Sequence, residues 1–146
     1  MAIIKDPVFG SMTKNHGFTK NESMVVFGRK RNVKIKASAF SNQVINDKQR
    51  DAYKYLQSNQ KDIFKDASKM IIDYIEENRS EISMYYKELK PYNNVNSFGD
   101  DILIKTIIFS QSGELIMTFN VIWDFDASLA VKILPSKAIG DESLFI

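Results

Sequence analysis

The chain reads as an α+β domain in which N- and C-terminal strands form a mainly antiparallel sheet and two to three central helices pack on one face. Three observations predict this. Residues before 40 and after 101 are short apolar runs cut by turn formers, and the middle of the chain carries apolar residues at three- and four-residue steps. The length of 146 residues is that of one domain, so residues 1–146 are expected to share one core. Strands, then helices, then strands is the order of a sheet with its helices segregated to one side.

Taken in order, the first forty residues are β structure broken at Asp6-Pro7, Gly10, Asn15-His16-Gly17 and Asn21. Met24, Val25, Val26 and Phe27 form an apolar run, and Gly28 with Arg29-Lys30-Arg31-Asn32 is expected to turn the chain. Val33, Ile35 and Ala37 then alternate with Lys34, Lys36 and Ser38, which puts the apolar set on one face of a half-buried antiparallel pair.

Asn46 stands three residues before Gln49, the spacing in which each side chain satisfies a backbone N–H of a helix's first turn. From there Ala52, Tyr53, Leu56, Ile63, Phe64, Ala67, Met70, Ile71, Tyr74 and Ile75 trace one apolar stripe, thinning at Ser58-Asn59-Gln60. Two helices are therefore expected, over 47–57 and 60–78. Ile82, Tyr85, Tyr86 and Leu89 keep helical spacing from Glu81 to Lys90, where Pro91 stops it. Residues 91–100 are polar and turn-rich. Beyond them 102–109 and 115–123 flank the connector Ser110-Gln111-Ser112-Gly113 as a hairpin, and short strands are expected at 128–134 and 143–146, with Pro135 and Gly140-Asp141 between them.

The apolar share of 44% is that of ordinary globular proteins, and no apolar run is long enough to span a bilayer. The start, Met1-Ala2-Ile3-Ile4-Lys5-Asp6, lacks the basic end and apolar stretch of a secretory signal. Cysteine is absent, which removes disulfides, thiol nucleophiles and thiolate metal sites. The expected location is the cytoplasm. Net charge is +2, yet residues 1–50 carry +7, 51–98 carry −1 and 99–146 carry −4. Such a gradient serves either solvated faces or a polar binding surface.

Catalytic groupings do not emerge. His16, the single histidine, sits in a turn without nameable partners. Neither GxGxxG nor GxxxxGK[ST] occurs. Asp124 and Asp126, beside Trp123, would share a face if extended, but a calcium loop of EF-hand type needs acidic residues that do not follow. No cofactor and no metal is expected, and the chain is read as a binding protein, not an enzyme. The residues supplied beyond the needs of a core are the basic Arg29, Arg31, Lys34 and Lys36 and the helix tyrosines Tyr55, Tyr85 and Tyr86, a type that dominates interface hot spots. These are the candidate partner-binding residues. The same basic segment would suit phosphates, so a small nucleic-acid-binding protein using residues 29–36 is the alternative. Phe27 and Phe40, which would have to stack bases, belong to apolar strand patterns.

Through Asp6-Pro7-Val8-Phe9-Gly10, Val25-Val26-Phe27-Gly28, Ile45-Asn46-Asp47-Lys48-Gln49, Trp123-Asp124 leading to Leu129-Ala130-Val131, and Ile139-Gly140-Asp141 to Leu144-Phe145-Ile146, the chain resembles a family of small uncharacterised bacterial proteins. Some of its members are candidate immunity or accessory proteins of toxin systems. Members often carry Glu-His-Gly after the Trp-Asp, where this chain has Asp126, Ala127 and Ser128, so an activity relying on that histidine would be missing. The resemblance implies a protein-binding module of immunity type, with no catalytic residues to carry over, that binds and neutralises a partner toxin.

Overall fold

Asn46 accepts the Gln49 amide and Gln49 returns a side-chain acceptor to the Asn46 amide, and this reciprocal cap starts helix α1, Asp47–Glu77. A computed structural model describes residues 2–146. Ala52, Tyr53, Leu56, Ile63, Phe64, Ala67, Ile71 and Ile75 are all buried along α1, as the apolar stripe requires. The two expected helices are joined across a kink at Asn59, whose backbone leaves the helical region (φ −126, ψ 24) while its side chain donates to the Tyr55 carbonyl. Helix α2, Arg79–Tyr85, follows at once, and ends earlier than its apolar spacing predicts.

Among the described residues, eight strands form one sheet in chain order: β1 Ala2–Asp6, β2 Gly10–Lys14, β3 Phe18–Val26, β4 Arg29–Ala37, β5 Ile102–Phe109, β6 Leu115–Val121, β7 Asp124–Leu134 and β8 Ala138–Asp141. The fold is α+β, with a mostly antiparallel sheet. Its one parallel junction is β4 with β5, because α1 and α2 are the crossover between them. Phe18, Met24, Val26, Val33, Ile35, Ala37, Ile107, Phe109, Met117, Phe119, Leu129 and Val131 share the core with α1, so one face of the sheet is covered by the helix.

Several local expectations are corrected. The β3–β4 turn is Phe27-Gly28, both with positive φ (53 and 80), and Arg29–Asn32 already belong to β4. A two-residue turn with φ above zero at both positions matches the twist of a hairpin. Phenylalanine is a costly occupant there, but its ring packs against Phe64, Phe98 and Phe119, which holds it in place. Asn21 breaks nothing and lies inside β3. The last strand is Ala138–Asp141, not 143–146, because Asp141 accepts the Ser143 amide and starts a 3-10 turn over Glu142–Leu144. Gly140, taken from sequence as a turn residue, is therefore in that strand.

Trp123 and Tyr92 are buried beside one another, and the Tyr92 hydroxyl donates to Asp101. Asp124 is a turn acceptor, taking the amides of Asp126 and Ala127 on one oxygen.

Candidate functional site

Side chains alternate across a strand, and on β4 this alternation divides the basic residues. Arg29 and Arg31 have the parity of the buried Val33 and Ile35 and lie on the helix side. There they approach Asp100 at 3.5 and 3.6 Å, beside a cavity of about 10 Å³ lined by Val26, Phe27, Phe98 and Ile102, room for one water and no more. Lys30, Lys34 and Lys36 point from the far face. The four basic residues singled out from sequence are thus two separate pairs, and Lys30, left out of that set, joins the far-face pair. Parity alone separates them.

Register assembles the far face. Ile3 pairs with Thr13 and Thr13 with Thr19, which pairs with Lys36; in the adjoining row Asn21 pairs with Lys34 and Lys34 with Thr106. At the β6–β8 end this face is closed by the C-terminal turn: a side chain on Gly140 would meet Leu144 at 2.8 Å, and Lys132 lies 5.9 Å from the Phe145 ring. At the β1–β4 end it is open. A groove of about 390 Å³ runs there, lined by Ile3, Ser11, Thr13, Thr19, Asn21 and Lys34. Among the described residues, none of Lys5, Lys30, Lys34 and Lys36 has a carboxylate within ion-pair distance. The open end is therefore polar and positively charged, without an internal counter-charge.

The helix side of the same strands is occupied by structural polar groups. Lys20 donates to the Phe9 carbonyl (2.6 Å) and to the Tyr53 hydroxyl (2.7 Å), and Tyr53 donates to Glu22. Burial, and then the Glu22 hydrogen bond and charge, push the Tyr53 phenol well above its ordinary range, so it stays a donor and is no base at neutral pH. Asp6 is held by two Arg50 nitrogens at 2.8 and 2.9 Å and by the Val8 and Phe9 amides, which ties the first hairpin to α1. At the carboxyl ends of the parallel pair, where α/β sheets commonly receive a ligand, Gln49 donates to the Ser38 and Phe109 carbonyls and Gln111 donates to Ser38 and Val44. Protein side chains fill that position.

The tyrosines do not form one site with the lysines. Tyr55 is exposed on α1, Tyr85 is exposed on α2, and Tyr86 is half-buried against the core. Among the described residues no group of three or more His, Asp or Glu is placed to hold a metal ion, and no helix is long and apolar enough to cross a membrane.

Residues 8–139 match the family described as "Domain of unknown function (DUF6985)". No curated protein and no solved structure matches.

Proposed function

We propose that this chain, which belongs to the DUF6985 family, is a cytoplasmic protein-binding module whose open, lysine-bearing sheet face receives an acidic surface of a partner protein. The observation that carries the reading is the uncompensated charge of Lys30, Lys34 and Lys36 on one face of β4, with Lys34 lining a formed groove. Complementary charge speeds encounter and rejects wrong partners. An immunity-type role, in which the partner is a toxin that the chain neutralises, is the specific form we propose, and it draws its support from the resemblance in sequence.

Nucleic acid is the less favoured occupant. Phosphates would also seek these lysines, but the groove-lining residues include no aromatic ring on which a base could stack. Binding of the wild-type chain to random-sequence single-stranded DNA and to proteins of its host, each at low and high salt, separates the two. A partner protein retained at low salt and more weakly at high salt supports the proposal. Steeply salt-dependent DNA binding with no protein partner would replace it with the alternative.

A further inference from the structure

The β1–β2 hairpin follows β3 for only two residue pairs, Thr13 with Thr19 and Lys14 with Phe18. It then leans over α1, where Phe9 stacks on Tyr53 at 4.4 Å and Asp6 meets Arg50. Beyond Thr19, β3 pairs on one side only, with β4. The two-residue turn at Phe27-Gly28 makes Val26 and Arg29 a hydrogen-bonded pair, and the antiparallel alternation then turns the backbone N–H and C=O of Asn21, Ser23 and Val25 away from β4. All three residues are exposed. Native sheets blunt such an edge with charge, proline or a bulge, and Asn21–Val26 has no proline, an unbroken register and one charged residue, Glu22, occupied by Lys20 and Tyr53.

We infer that the free edge of β3, Asn21–Val26, is a strand-addition site that binds an extended segment of a partner protein carrying acidic residues at alternate positions. Backbone bonding to Asn21, Ser23 and Val25 supplies the affinity, as in other cases where a peptide extends a sheet. Alternate side chains of an added strand fall on the far face of the sheet, in the groove where Asn21 lies beside Lys34. Lys34 has no carboxylate of its own, so acidic side chains there complete the charge. The inference rests on the protein-binding reading above and adds its mode and the chemistry of the segment.

The test uses the full chain as bait for a display library of random heptapeptides, followed by amide hydrogen exchange on the chain with an enriched peptide bound. Enriched peptides are expected to carry Asp or Glu at every second position and to slow exchange at Asn21, Ser23 and Val25. Ser23→Pro, which removes an outward amide without removing a β3–β4 hydrogen bond, should weaken them by about tenfold or more. Should Ser23→Pro not fold, the exchange result on the wild type decides alone. Acidic peptides that leave these three amides unprotected would overturn the edge and leave the lysine face standing. Enrichment without acidic character would overturn both. Self-association of the wild type with the same three amides protected would also overturn it, by making a second copy the occupant.

Discussion

Arg31 and Lys34 lie on one strand and project from opposite faces of the sheet, Arg31 to within 3.6 Å of Asp100 on the helix side and Lys34 into the open groove. Their roles divide accordingly. Arg31→Ala removes one partner of a partly exposed ion pair, and its cost should stay below about 1 kcal/mol and shrink with salt. Denaturant melts at two ionic strengths measure it.

Asp6 sets the acid limit of the first hairpin. Burial pushes its carboxyl up, but the Arg50 hydrogen bond, the Val8 and Phe9 amides and the guanidinium charge outweigh this and hold it below its ordinary value of 3.8. A folded value below the unfolded one stabilises fully above the unfolded value and is lost as pH falls through the folded one. Asp6→Asn should therefore cost about 1–3 kcal/mol near neutrality, since Arg50 loses its buried partner but keeps Asp47, and the difference from wild type should narrow below about pH 4. Stability measured from neutral to acid pH checks both parts.

Gln49 is buried between Ser38 and Phe109, with its amide nitrogen 2.8 and 2.9 Å from their carbonyls. Gln49→Ala removes two buried hydrogen bonds where α1 meets the parallel strands, although Gln111 still donates to the Ser38 carbonyl and the Ser38 amide to the Phe109 carbonyl, and should cost about 1–3 kcal/mol. Asn46→Ala removes the cap and its two bonds to Gln111, and should cost about 1–2 kcal/mol. Because both residues join one network, the double variant should fall short of the sum, which a mutant cycle reads directly.

Alkaline titration should distinguish the tyrosines. Tyr53 and Tyr92 are pushed up first by burial and then by the hydrogen bonds to Glu22 and Asp101, so their folded values exceed the unfolded ones. That contribution is present below the unfolded value, near pH 10, and is lost as pH rises through the folded values. Absorbance of the phenolates should show at least two of the six tyrosines silent at about pH 11 until the chain unfolds. Tyr53→Phe should lower the count of silent groups by one.

The legible parts of the fold were those written in neighbouring residues. The Asn46–Gln49 box and the stripe from Ala52 to Ile75 state α1 almost completely, and the thinning at Ser58-Asn59-Gln60 marks the kink. The Phe27-Gly28 turn was hidden because phenylalanine is tolerated at positive φ only through contacts with Phe64, Phe98 and Phe119, which are distant in sequence. Gly140 reads as a turn residue until its place against Leu144 is known. The basic run was visible, and so was the alternation that divides it, yet Arg29–Asn32 had to be recognised as strand before parity could be applied. The free edge of β3 was not legible, since it depends on the first hairpin leaning toward Tyr53 and Arg50.

The most direct test of the lysine face compares two charge reversals as baits for the host protein that the wild type retains. One bait carries Arg29→Glu and Arg31→Glu, the other Lys34→Glu and Lys36→Glu, each shown by melting to be folded. If the open face receives an acidic partner, the Lys34/Lys36 variant loses it through slowed association, while the Arg29/Arg31 variant keeps it. Retention by the Lys34/Lys36 variant with loss by the Arg29/Arg31 variant, or equal retention by both, would contradict the account.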